Sequence, residues 1–208
     1  MTDFKDIGNE ESFQKGKPGK LIYTCNCGWI DLGHVNPSGA KKLLADVKAA
    51  AAKPQGDWVH YNQTAWGIPI TGGAYWVHGG ISPAMQESVA LTIFQNTSQS
   101  YEGVQEFFGS SSGFSEEDLV SNIIGFNAAA DGKTAEQTIK EKCGKILSKE
   151  AAIEVWNQTG GITKNRNRKW EPTLHKCTTC MKECPEDRAF PKEFSRIKRT
   201  VPGKGFSY

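Results

Sequence analysis

Residues 24–53, TCNCGWIDLGHVNPSGAKKLLADVKAAAAK, decide the fold, because a strand, a polar loop and an amphipathic helix follow one another within thirty residues. The strand candidate runs from Leu21 to Cys25 and breaks at Gly28. Asn36 is then the preferred type of helix N-cap, and Pro37 suits the first helical position, where its missing N–H costs nothing. Ala40, Leu43, Leu44 and Val47 recur on one face until Lys53-Pro54 stops the helix. Between strand and helix lie Asp31 and His34. Three residues apart, they share one side of a helical turn, where the carboxylate can orient the imidazole as in a general base.

Working outward, residues 57–81 are rich in Trp, Tyr, Val, Ile and Thr and are punctuated by Gly67, Gly72-Gly73 and Gly79-Gly80. This pattern predicts two or three short antiparallel strands, with the glycine pairs as hairpin turns and Pro69 at a sheet edge. A long helical pattern follows Ser82-Pro83 and runs to about Phe108, its stripe formed by Ala90, Phe94, Tyr101, Val104 and Phe108. Ser115 with Asp118 predicts a capping box for the next helix, Thr134 with Gln137 another, and Ser148 opens a last helix that stops at Gly160-Gly161. The fold class expected is α+β: a mainly helical domain with a small antiparallel hairpin region and an irregular, cysteine-rich tail. The segments are an extended arm over 1–20, a body over 21–160 and a basic tail over 161–208 packed on the body.

The 208 residues suffice for one self-supporting core. No stretch approaches the roughly 20 apolar residues of a membrane helix. The N-terminus lacks the apolar region of a Sec signal, so the expected location is cytoplasmic or beyond the cell by a non-Sec route. The net charge of +2 hides an asymmetry: residues 160–208 hold 12 Lys+Arg against 5 Asp+Glu, leaving 13 against 18 for the rest. Such a tail, with Trp170, Phe190, Phe194, Phe206 and Tyr208 interleaved, could bind nucleic acid, but complementary signs favour its lying along its own acidic body.

The tail also carries His175, Cys177, Cys180 and Cys184 in HKCTTCMKECP. A structural zinc fits a Cys177/Cys180 knuckle completed by Cys184 with His175 or a distal cysteine. The C-x2-C-x3-C-P spacing also matches part of a ferredoxin-type run with its first cysteine missing. Six cysteines in total equally allow a disulfide framework in which Cys25 and Cys27 staple the tail to the body. Cys27 with His34 as nucleophile and base is a poorer reading, as is convergence of His60 and His78 on His34.

CGWIDLGHV at 27–35 and SGFSEEDLVSNIIGF at 112–126 resemble motifs of an uncharacterised family of bacterial domains, C-G-[FW]-[IL]-D-x-[GA]-H-[VL] and F-S-x-E-D-L-x-S-N-[LI]-[LI]-G. The resemblance spans residues 24–130 and leaves out the tail. It implies a polar, hydrolase-like site built from Asp31, His34, Glu102, Glu117, Asp118 and Asn122. This chain departs from the pattern at Tyr101, where the family's long helix has a histidine beside its glutamate. The function expected is a bacterial hydrolase-like or effector-type domain acting on an unknown substrate through Asp31, His34, Glu102 and Glu117. Its rival is a non-enzymatic structural or interaction protein of a larger assembly.

Overall fold

The computed structural model describes residues 4–14, 17, 19–65, 68–108, 113–162, 164–175 and 180–208, with the side chains of 64, 65, 68, 69, 180 and 181 outside that description. Its described elements are β1 (Leu21–Thr24), β2 (Gly28–Asp31), α1 (Ser38–Ala51), β3 (Asp57–Ala65), β4 (Ile68–Val77), α2 (Pro83–Phe107), α3 (Asp118–Ala130), α4 (Ala135–Lys142), α5 (Lys149–Thr159) and β5 (Phe206–Ser207), with four short 3₁₀ turns. The architecture is α+β, with two small antiparallel sheets.

β1 and β2 form a hairpin with Leu21 opposite Asp31 and Thr24 opposite Gly28. Gly28 takes φ +64°, a left-handed value that glycine adopts freely, so the residue that looked like a strand break is the turn into a second strand. Every residue of both strands is buried, because the hairpin is covered on both faces. Tyr23 and Trp29 face α5 and pack with Val155, Leu147 and Ile162, while Ile22 and Ile30 face α3 and α4 and pack with Val120, Ile124 and Ile139. Alternate residues of a strand point to opposite faces, so adjacent apolar residues such as Leu21-Ile22-Tyr23 and Trp29-Ile30 fit strands covered on both faces. The larger core lies between α1, α2, α3 and the second sheet, around Leu43, Val47, Val59, Val77, Ile93, Phe94, Phe126 and Phe206.

The second sheet is simpler than the glycine pattern suggested. β3 and β4 are two long strands, paired from Asp57–Val77 to Ala65–Ile68, with a register irregularity at Gln63/Thr64. Gly72-Gly73 lies inside β4 rather than at a turn. β5 pairs only with Trp76 and Val77, so the Pro69 end of β4 is bonded to β3 alone and a missing N–H is tolerated there.

Helix limits follow their caps with two exceptions. Ser82 accepts from the Met85 N–H at the start of α2, Thr134 and Gln137 form the reciprocal pair that opens α4, and Ser148 caps α5, which ends on Gly160 at φ +75°. α1 begins at Ser38, one residue later than expected, with the Asn36 side chain accepting from the Ser38 N–H. α3 begins at Asp118 with Glu117 at its cap and no side-chain cap bond, because Asp118 is turned to another partner. The stripe on α2 also stops short: Phe107 and Phe108 are 85% and 80% exposed.

Two disulfides tie distant segments to the hairpin turn. Cys25 bonds Cys184 across 159 residues, and Cys27 bonds Cys143 across 116, with Cα separations of 5.4 and 5.1 Å. Tail arginines are engaged with the body: Arg166 and Arg168 with Glu106, Arg196 with Asp131. Among the described residues, no helix is long and apolar enough to cross a membrane.

Candidate functional site

The loop between β2 and α1 is held by its own backbone and by α3. The Asp31 carbonyl accepts from the N–H groups of His34 and Val35, and the Asp31 N–H donates to Ser121 Oγ at 2.9 Å. The Asp31 carboxylate turns back on the loop and accepts from the Gly33 N–H at 2.7 Å. α3 lies against this loop so closely that a Cβ on Gly125 would stand 2.6 Å from the Val35 carbonyl oxygen. Glycine in the middle of a helix costs about 1 kcal/mol relative to alanine, and here it permits backbone contact.

That contact carries His34 to the start of α3. His34 Nδ1 lies 3.0 Å from Asp118 Oδ1. The Asp118 side chain is 3% exposed whereas 40% of the His34 side chain is open. Asp118 also sits in the first turn of a helix, where unpaired N–H groups and the helix dipole favour negative charge.

Behind this pair lies a group of buried acids. Glu102, from the last third of α2, is 2% exposed, shares a side-chain hydrogen bond with Asp118 and accepts the Phe114 N–H at 3.1 Å. Phe114 is the non-glycine residue with positive φ (57°) among the described residues, a strained conformation held at the turn that feeds α3. Glu117 is also 2% exposed, and its Oε2 has no hydrogen-bond partner. Asn122 lies one turn further along α3, also buried. Asp31, His34, Glu102 and Glu117 are thus brought to one centre, with Asp118 as its hub. The difference from the sequence reading is which carboxylate orients the imidazole: Asp31 is occupied with Gly33, and Asp118 bonds the ring.

The proton balance of the centre follows from crowding. For His34, burial disfavours the charged ring, but the hydrogen bond and charge of Asp118, with the charges of Asp31 and Glu102, outweigh it and raise the pKa to about 9. Glu102 is pushed up to about 8, chiefly by burial and then by the Asp118 charge. Glu117 is raised well above the ordinary range for the same two reasons. At neutral pH the centre therefore holds an imidazolium at His34 beside Asp118, with Glu102 as a neutral acid. A neutral Glu102 donates to Asp118, which explains how two acids can share a bond.

The zinc reading is corrected, because the described residues of the tail do not assemble the expected ligand set. The Cys184 sulfur is bonded to Cys25, and His175 Nε2 meets Glu116 at 2.5 Å. Cys177 and the Cys180 side chain lie outside the described residues. Among the described residues, no three His, Cys, Asp or Glu side chains are grouped so as to hold a metal ion. A cysteine nucleophile at Cys27 is ruled out by its bond to Cys143 and its complete burial. His60 lines a different hollow, with Lys42, Asp57 and Trp58.

The sequence reading placed Asp118 in a capping box and, through the resemblance, among the site residues, but did not pair it with His34 or Glu116 with His175. Burial of three successive acids, Glu116, Glu117 and Asp118, was the missing signal, and only tertiary structure supplies it. No family model, curated protein or solved structure matches this chain.

Proposed function

We propose that the His34 centre performs general acid/base chemistry of the hydrolytic kind, as the resemblance over residues 24–130 also implies. The observation that carries this reading is the half-open His34 ring bonded through Nδ1 to a buried Asp118. Asp118 fixes the tautomer and orientation of the ring, which leaves Nε2 to exchange a proton with a substrate. With its pKa near 9, His34 is charged at neutral pH and serves as proton donor to a leaving group or to a developing oxyanion. Glu102, neutral there, and Glu117, whose charged form burial disfavours, position Asp118 and hold the proton balance of the pair. Asp31 shapes the loop that presents the ring.

Chromogenic esters, amides, phosphates and glycosides, each assayed from pH 6 to 10, test this reading. The expected result is turnover of at least one class that falls about 100-fold or more in His34→Ala and in Asp118→Asn. Turnover that survives both substitutions would remove the proposal. The two disulfides favour an oxidising compartment as the place of work, since such bonds persist there and are rare in a reducing cytosol.

A second reading, a non-enzymatic protein of a larger assembly, draws on Phe107 and Phe108, edge-to-face at the exposed end of α2. Single exposed apolar residues are ordinary, but adjacent exposed aromatics favour contact with another surface. Under this reading Phe107→Ser with Phe108→Ser lowers self-association or solubility effects in sedimentation, while His34→Ala changes nothing but stability.

A further inference from the structure

A second feature, independent of the His34 centre, lies on the other side of α2. Tyr75 from β4, Tyr208 beyond β5, and Asn96, Thr97, Gln99 and Ser100 from α2 line a cleft of about 510 Å³. The volume falls within the roughly 300–1,000 Å³ of ligand pockets. Among the described residues no charged side chain lines it, and its remaining wall is Gly72, where φ is +135° and a Cβ would stand 2.1 Å from the Tyr61 carbonyl oxygen. The floor of the cleft at that point is therefore bare backbone.

The lining has a definite chemistry. Two tyrosine rings meet at 5.8 Å between centroids, one buried and one 69% exposed, which presents an aromatic face to the opening. Asn96 is held from behind, its Oδ1 accepting from Arg199 and its Nδ2 reaching the Tyr208 hydroxyl at 3.5 Å. Gln99 and Ser100 add an amide and a hydroxyl at the rim. Thr97 is 2% exposed, lines the cleft, and its hydroxyl has no hydrogen-bond partner.

We infer that this cleft binds a neutral oligosaccharide. Uncharged donors and acceptors suit sugar hydroxyls, the exposed Tyr208 face suits the C–H face of a pyranose ring, and the absence of charge gives no handle to phosphates, carboxylates or amines. The surface is too polar for a lipid or an apolar peptide.

The test uses cellohexaose, mannohexaose and N-acetylglucosamine hexamer as probes, each titrated into the protein while side-chain amide and backbone resonances are followed by NMR. At least one probe is expected to bind with Kd at or below about 1 mM, shifting the Asn96 and Gln99 amide signals. Tyr208→Ala and Gln99→Ala each weaken that binding about tenfold or more, Tyr208→Phe retains most of it, and Trp58→Ala leaves it unchanged. Tyr208→Phe keeps the ring and so the fold, which guards against misreading an unfolded Tyr208→Ala protein. Absence of shifts with all three probes overturns the inference, as does binding that Gln99→Ala and Tyr208→Ala leave intact. Failure here does not touch the His34 proposal, which predicts nothing about these signals.

Discussion

Asp118 is where the candidate site is decided, because it bonds His34 on one side and Glu102 on the other. Glu102→Gln keeps a donor of the same shape toward Asp118, and its stability at pH 6 is expected within about 1 kcal/mol of the parent in urea unfolding. Glu102→Ala leaves the Phe114 N–H without its acceptor and opens a void, at a cost of about 2–4 kcal/mol in the same measurement. A equal loss for both variants would show that the carboxyl is ionised. Asp31 and His34 were visible as candidates in a loop next to a helix start, whereas Glu102 entered only through the resemblance over residues 24–130. The resemblance put Asp118 in the site too, but its pairing with His34 was not legible, since helix dipoles attract acids whether or not a histidine waits across the interface.

The placement of His34 depends on how α3 meets the β2–α1 loop, and Gly125 is the element-scale control. Gly125→Ala would favour an isolated helix by propensity, yet its methyl collides with the Val35 carbonyl. The expected outcome is a net destabilisation of about 1–3 kcal/mol in denaturant titration, together with a lower His34 pKa as the ring is pushed from Asp118. Stabilisation would mean that the loop and helix are not in contact. Much of this level was legible: the boundaries of α2, α4 and α5 follow from Ser82-Pro83, Thr134 with Gln137, and Ser148 with Gly160. The hairpin was only half seen. A strand buried on both faces lacks alternation, and Gly28 reads equally as the end of a strand or the turn into the next. The exposed end of α2 was misread because Phe107 and Phe108 continue the apolar period beyond the point where the core stops.

At the scale of the molecule, two crosslinks and one titrating centre govern stability. The Cys25–Cys184 and Cys27–Cys143 bonds close loops of more than a hundred residues, and removal of either by paired Cys→Ala substitution is expected to cost about 2–5 kcal/mol, read as a lower thermal midpoint. Six cysteines allowed either a zinc site or crosslinks, and neither that choice nor the pairing was legible, since both are properties of the fold. The pH dependence has a definite sign. The folded protein retains protons that the unfolded chain has released, on Glu102 between 4.5 and about 8 and on His34 between 6.5 and about 9. Stability therefore declines as pH rises through that window, and the His34 contribution, complete below 6.5, is lost by the time pH passes 9. Asp131, held below the usual carboxylate range by Lys142 and Arg196 despite some burial, acts oppositely and loses its contribution only as pH falls through the acid range below 3.8. Thermal midpoints are expected to peak near about pH 5 and to fall toward pH 9. The most direct test of the whole account is an NMR titration of the His34 ring in the parent protein and in Asp118→Asn. The account predicts a midpoint near 9 that drops by more than one unit in the variant, whereas a parent midpoint at or below 6.5 would contradict it.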